Sequence, residues 1–105
     1  MDVDVRDNTE KHRFEIFLGG GLAGFATYEL RPGALAVMHT EIDPAFESRG
    51  LGSTLARAAL DSARERGLAV VPYCPFTNEF IKRHNEYVDL VPAAMRERFG
   101  LPPAD

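Results

Sequence analysis

A short glycine loop between a strand-like segment and a helix-like segment constrains this chain more than any other feature. The loop covers residues 47–53 and reads ESRGLGS. Its glycines, Gly50 and Gly52, permit a tight turn and a close backbone approach to a ligand, because neither has a Cβ atom. The helix that follows directs free N–H groups and the positive end of its dipole at the loop. The sequence therefore predicts either a phosphate-binding loop or a simple strand-to-helix turn.

The loop differs from two common nucleotide-binding patterns. No Lys-Ser or Lys-Thr pair follows Gly52, so the segment is not a P-loop. Leu55 stands where the dinucleotide fingerprint has its third glycine. Spacing alone therefore leaves both the phosphate site and the plain turn open.

Length and composition predict one globular domain over residues 1–105. The chain is 45% hydrophobic and 27% charged, and its net charge of −4 argues against a nucleic-acid partner. It has one cysteine, no apolar run long enough to span a membrane, and an acidic N-terminus unlike a signal peptide. We therefore expect a cytoplasmic protein with no membrane or nucleic-acid partner. Residues 1–11 and 100–105 are expected to be loose.

Hydrophobic periodicity predicts three consecutive strands in the first half of the chain. Alternating apolar residues indicate strands at about residues 14–18, 22–30 and 34–42. Glycine and proline mark the turns between them, at residues 19–21 and 31–33. Strands joined by such short turns form an antiparallel meander.

The spacing of apolar residues then changes from every second residue, as in a strand, to about every 3.6 residues, as in a helix. Residues from 51 to Gly67 predict a helix, and residues 68–71 predict a short buried strand. A second helix is predicted from Asn78 to about Asn85, with Thr77 as its N-cap, and a short final helix covers residues 92–99. The predicted class is α+β, with helices packed on a mostly antiparallel sheet.

The order of these motifs resembles the GNAT superfamily of acetyl-CoA-dependent N-acetyltransferases. Residues 39–42 (HTEI) lead into residues 49–53 (RGLGS), followed by residues 71–76 (VPYCPF) and 81–84 (IKRH). This order is similar to a compact GNAT-like branch of single domains, and the match covers about residues 14–87. The resemblance implies a minimal acyl-CoA N-acyltransferase fold, in which the meander carries a further, splayed strand.

The resemblance also implies where a coenzyme would bind. Acetyl-CoA would act as co-substrate, with its pyrophosphate on the loop amides and its pantetheine arm beside residues 42–46. Asn78 would bond that arm, whereas Glu47 departs from the family pattern, since a carboxylate cannot donate to a phosphate. No metal is expected, because the three histidines are scattered and one cysteine cannot complete a zinc site. The expected coenzyme-binding residues are Ile42, Asp43, Phe46, Glu47, Ser48, Arg49, Gly50, Leu51, Gly52, Ser53 and Asn78.

Three residues are candidates for catalysis. The resemblance implies a catalytic role for Cys74, whose thiolate would accept the acetyl group or activate the amine. The other interpretation is that Cys74 is a small buried side chain. In a direct transfer, Glu41 or His39 would accept the proton of the amine. Their spacing places both on one face of the third strand, with Thr40 on the other.

The predicted function is acetyl transfer from the coenzyme thioester to a primary amine. The sequence does not identify that amine. Two alternatives remain open at this stage: a coenzyme-A-binding module without turnover, and a structural domain without a ligand.

Overall fold

The computed structural model describes residues 2–103. Within that range five strands form one sheet in the order β1-β2-β3-β4-β5. The strands are β1 Val3–Asn8, β2 Arg13–Leu18, β3 Gly21–Arg31, β4 Ala34–Ile42 and β5 Ala69–Pro72. The α-helices are α1 Leu51–Glu65, α2 Pro75–Arg83 and α3 Ala93–Arg96, and 3-10 helices cover Pro44–Phe46 and Asn85–Leu90.

The pairing of the strands confirms the predicted fold class. β1 to β4 pair antiparallel in chain order, and β5 pairs parallel with β4 after the crossover through α1. Left-handed backbone at Gly19, Gly20 and Gly33 makes the two predicted turns, with φ of 59°, 87° and 72°. The result is a mostly antiparallel sheet packed with helices.

The N-terminal segment corrects the expectation that residues 1–11 are loose. Val3–Asn8 is the edge strand β1, and it pairs along its whole length with β2. Val5 packs against the core opposite Ile16, while its neighbours Asp4 and Arg6 are exposed. An edge strand needs few apolar residues, because the backbone pairing supplies much of its order. Met1 lies outside the described residues.

The second helix begins earlier than the sequence indicated. α2 starts at Pro75 rather than Asn78, and its N-cap is Cys74 rather than Thr77. Proline suits the first helical position because the N–H group that it lacks would have no partner there. Thr77 is instead buried inside the first turn, at 1% exposure.

The C-terminal region is more ordered and less helical than expected. α3 spans only Ala93–Arg96, and a turn then leads to Gly100, whose φ is 69°. The Leu101 amide donates to the Arg96 carbonyl at 2.8 Å, and the Leu101 side chain is buried. The expectation of a loose tail from residue 100 is therefore wrong at Leu101. Residues 104–105 lie outside the described range.

The core lies between the sheet and one layer of helices. Ile16 and Leu35 from the sheet meet Leu55 and Leu60 of α1 and Ile81 of α2, all completely buried. Full burial of a side chain of this size contributes about 1.5–3 kcal/mol. The helices α1 and α2 therefore dock on one face of the sheet. None of the helices in the described range has the length and apolarity needed to cross a bilayer.

Candidate active site

β4 and β5 separate halfway along β4 and leave a gap in the sheet. Their parallel pairing ends at Val37 and Pro72. One further bond follows, from the Cys74 amide to the Val37 carbonyl at 2.9 Å. β4 then continues to Ile42, whereas the chain after Cys74 turns into α2. The separation is the splayed strand that the resemblance implied.

Backbone groups of β4 face this gap. The Asp43 amide donates to the Ala23 carbonyl of β3 at 2.8 Å. Backbone groups along an antiparallel strand point alternately toward and away from the neighbour. The amides and carbonyls of Thr40 and Ile42 therefore point away from β3 and into the gap. They are placed to bond a ligand chain laid along β4.

Cys74 lies at the closed end of the gap. Its side chain is 3% exposed, and its Sγ atom is 3.3 Å from Oγ1 of Thr40. Burial alone would raise the pKa of the Cys74 thiol. Hydrogen bonds from Thr40, from Thr77 and from the Phe76 backbone outweigh burial, so the pKa lies below its ordinary value. The thiolate also gains from its position at the N-terminus of α2.

A cleft of about 400 Å³ runs from this gap to the glycine loop. We call it the loop cleft. Its lining comprises Thr40, Ile42, Phe46, Glu47, Ser48, Gly50, Leu51, Gly52, Ser53 and Phe76. It therefore joins the splayed part of β4, the start of α1 and the start of α2.

The loop presents the start of α1 to this cleft. Left-handed backbone at Ser48 and Gly50, with φ of 67° and 73°, turns the chain into the helix. No side chain caps α1, and its first turn carries no acidic residue. The amides of Leu51, Gly52 and Ser53 have no partner within the helix, so they are available to an anion.

Most of the predicted coenzyme residues line the loop cleft, and three do not. The exceptions are Asp43, Arg49 and Asn78. Asp43 caps the short 3-10 helix by accepting from the Ala45 amide at 2.9 Å. The exposed Arg49 guanidinium carbon lies 6.0 Å from the centre of the Phe46 ring.

Asn78 is held by the C-terminal part of the chain. Its Nδ2 donates to the Phe99 carbonyl at 2.9 Å. Its Oδ1 is buried and has no hydrogen-bond partner among residues 2–103. The carbonyl at Phe99 requires a donor, which settles which way the Asn78 amide is turned. The Oδ1 atom is the one that would accept from an N–H group of a pantetheine arm, and it is buried.

His39 and Glu41 lie on the other face of β4, as their spacing predicts. The His39 Nε2 and Glu41 Oε1 atoms are 3.4 Å apart, and both side chains are more than half exposed. Glu41 lines a second cleft, of about 450 Å³, together with Leu22, Phe25 and Asp43. We call this the Glu41 cleft. The structure thus brings Thr40 to Cys74 and places His39 and Glu41 on the opposite side of the strand.

Sequence reasoning missed two residues of the loop cleft. Thr40 was seen to face away from Glu41, but its contact with Cys74 joins two distant segments of the chain. Phe76 had one local signal, since it is a large apolar residue in the segment before the predicted start of the second helix. That signal identifies a surface contact but not its partner.

The parted sheet, the cleft along β4 and the uncapped helix behind a glycine loop are the arrangement that the resemblance to the GNAT superfamily implied. A family model described as GCN5-related N-acetyl-transferase matches residues 13–90. The chain belongs to this family.

Known proteins of the same kind resemble parts of this chain. Mycothiol acetyltransferase of Segniliparus rotundus is 51% identical over 67 residues, which cover 60% of this chain and 25% of the relative. The chain thus spans about a quarter of that relative's length. Ribosomal-protein-S18-alanine N-acetyltransferase of Escherichia coli has a TM-score of 0.53 and 25% identity, over 55% of this chain and 38% of that one.

A solved structure of similar size shares the fold nearly from end to end. It is a GCN5-like protein of Staphylococcus aureus, with a TM-score of 0.65 and 20% identity. The match covers 85% of this chain and 87% of that protein. At this identity the likeness concerns the fold alone.

Proposed function

We propose that this protein transfers an acetyl group from acetyl-CoA to a primary amine. The observation that carries the proposal is the gap between β4 and β5, which ends at Cys74 and continues as the loop cleft to the start of α1. A coenzyme bound at the loop, with its arm along β4, would have its thioester beside Thr40 and Cys74. Acetyl-CoA is the usual acyl donor of the family to which the chain belongs.

The start of α1 would hold the pyrophosphate. The amides of Leu51, Gly52 and Ser53 supply donors, and the helix dipole favours a negative charge. Arg49 would add a charge-assisted contact from the loop. Its present contact with Phe46 is an exposed cation–π pair worth about 0.5–1 kcal/mol, which a phosphate can outcompete.

Two chemical routes lead from this arrangement to the product. In the first, the Cys74 thiolate attacks the thioester carbon and expels the CoA thiolate. The amine then attacks acetyl-Cys74 and expels the Cys74 thiolate. In the second, the amine attacks the thioester directly. In both routes the Thr40 amide in the gap would stabilise the oxyanion. The lowered pKa of Cys74 favours the first.

The amine would approach from the Glu41 cleft. The carboxylates of Glu41 and Asp43 attract an ammonium ion, which must lose its proton before it can attack. Glu41 or His39 would accept that proton, directly or through water. The amine would pass between the faces of the sheet at the gap, where β4 and β5 stop pairing after Val37.

The alternative is a module that binds coenzyme A without turnover. Two of the similar proteins carry names of acetyltransferases, which favours a transferase over this module. The two functions differ in one observable, since only a transferase releases free CoA from acetyl-CoA when an amine is supplied.

Thermal unfolding with and without acetyl-CoA tests the binding step, with ATP as the phosphate control. Ligand at about one hundred times its Kd adds about 2.7 kcal/mol. Each kcal/mol raises the Tm of a domain this size by about 4–8 °C. A rise with acetyl-CoA and none with ATP supports the coenzyme site. No shift at saturating acetyl-CoA contradicts both the transferase and the binding module.

Mass spectrometry then separates the two chemical routes. After incubation with acetyl-CoA and no amine, the first route predicts an acetyl group on Cys74. The Cys74→Ser variant serves as the control, because it removes the thiol and changes the size of the buried side chain very little. An unmodified Cys74 together with amine-dependent CoA release would establish direct transfer.

A further inference from the structure

Phe76 connects the N-terminal ends of the two main helices. It is the second residue of α2 and remains 45% exposed. Its ring nevertheless reaches the first turn of α1, where a Cβ atom on Gly52 would lie 2.7 Å from the ring Cζ atom. Two further ring carbons would lie within 3.3 Å of that atom. Gly52 is therefore shaped to receive the Phe76 ring.

The position of this ring matters for any ligand that spans the loop cleft. Phe76 follows Cys74 by two residues and touches Gly52 of the loop. A ligand that reaches from the loop amides to Cys74 must therefore pass the ring. An exposed phenyl ring at this point offers apolar surface to the middle of such a ligand.

We propose that Phe76 is a coenzyme-binding residue whose ring covers the pantetheine arm. This inference rests on the proposed function, because it takes the loop cleft as the coenzyme site. The arm would pass between the Phe76 ring and β4, where Thr40 and Ile42 supply backbone partners. Phe46 also lines the loop cleft and would form a second apolar wall. The ring selects for the arm and makes no contact that recognises the nucleotide.

The test compares two ligands that differ only in the arm. Coenzyme A carries the arm, and 3′-phosphoadenosine 5′-diphosphate has the nucleotide and its pyrophosphate without the arm. Their Kd values are measured by calorimetry for the wild-type protein, for Phe76→Ala and for Leu30→Ala. Leu30 is the matched control, because it is 47% exposed and lies outside the loop cleft.

We expect Phe76→Ala to weaken coenzyme A binding about 5–10-fold, because roughly half of a phenyl ring's burial is lost. Binding of 3′-phosphoadenosine 5′-diphosphate should stay within about 2-fold of wild type. Leu30→Ala should bind both ligands like wild type. In the wild-type complex, nuclear Overhauser effects should join the Phe76 ring protons to the methyl groups of the arm.

Three results would overturn the inference. Equal coenzyme A binding by wild type and Phe76→Ala would show that the ring does not contact the arm. An equal loss for both ligands would show that Phe76 acts through the shape of the loop. Failure of the wild-type protein to bind coenzyme A would remove the proposed function and this inference together. If Phe76→Ala does not fold, Phe76→Leu replaces it, with a smaller loss of about 2–3-fold expected for coenzyme A alone.

Discussion

The Thr40 hydroxyl lies 3.3 Å from the Cys74 sulfur and joins the splayed part of β4 to the N-cap of α2. In the thiol form the Cys74 S–H donates to the Thr40 oxygen. After ionisation the hydroxyl can rotate and donate to the sulfur. The Thr40 hydroxyl can therefore bond to Cys74 in both the thiol and the thiolate form. It lies beside the gap where a thioester would lie.

Thr40→Val should raise the pKa of Cys74. The substitution removes a donor to the thiolate and leaves the thiol buried, so the remaining burial acts against ionisation. Thiolate absorbance in the far ultraviolet, followed against pH, measures the change, with Cys74→Ser as the blank. Thr27→Val is the control. It also removes a hydroxyl group that bonds to β4, but the Thr27 hydroxyl donates to the His39 carbonyl and not to Cys74. An unchanged pKa of Cys74 in Thr40→Val would contradict the role given to the hydroxyl.

Gly24→Ala should destabilise the protein and weaken its binding of coenzyme A. A Cβ atom there would lie 2.5 Å from the Glu41 carbonyl and 2.6 Å from Cδ1 of Ile42. One of these contacts is backbone, so the end of β4 must shift, at a cost of about 1–3 kcal/mol. Urea unfolding and calorimetry measure the two effects.

Gly21→Ala is the matched control for that substitution. It lies in the same strand, and its nearest contact would be an ordinary 3.8 Å, to the Leu18 carbonyl. We expect a change in stability of no more than about 0.5 kcal/mol. A similar loss in both variants would show that the packing of Gly24 against β4 is not the cause.

Gly52→Ala should depend on Phe76, and Gly50→Ala should not. In the Phe76→Ala background, Gly52→Ala should stabilise the protein by up to about 1 kcal/mol, because alanine is the better helix former. In the wild-type background the collision with the ring should cancel or reverse that gain. A double-mutant cycle measures the coupling by urea unfolding.

Gly50 provides the contrast within the same loop. Its φ is 73°, and no atom lies within 4 Å of a Cβ placed there. Gly50→Ala should therefore cost about 1–2 kcal/mol through backbone strain alone. That cost should be the same with or without Phe76. Equal effects of Gly52→Ala in both backgrounds would show that the Phe76 ring does not collide with a Cβ atom at position 52.

Tyr28 should make the fold sensitive to alkaline pH. Burial and a hydrogen bond to Asp7 raise the pKa of Tyr28 from 10.0 to about 12. The unfolded chain therefore ionises first, so the contribution of neutral Tyr28 is intact below pH 10 and is lost as the pH rises to about 12. Tyrosinate absorbance and thermal unfolding against pH measure this. Tyr28→Phe should reduce this loss and leave the part due to Tyr87, whose pKa burial and the hydrogen bond to Asp61 also raise. Tyr73→Phe should keep the full loss; a loss unchanged in Tyr28→Phe would assign it elsewhere.

Local elements were predictable where their signals lie within a few residues. Alternation predicts β4 at residues 34–42, and the structure places it at Ala34–Ile42. The glycine loop and the 3.6 period predict a helix from Leu51, where α1 begins. β1 was missed because its order comes from pairing with β2 rather than from its own composition. The start of α2 was predicted late because Thr77 is a typical N-cap residue, whereas Pro75 opens the helix and Cys74 is its N-cap.

By itself, the sequence determined the order of β2 to β5 and of the α-helices among and after them, and the glycine loop that precedes α1. Periodicity, turn residues and helix-starting signals act over only a few residues, so no tertiary contact is needed to interpret them. The tertiary structure alone decided where β4 and β5 separate, and that Thr40 meets Cys74 while Phe76 covers Gly52. These contacts join segments far apart in the chain, and their distances are set by the packing of α1 and α2 against the sheet.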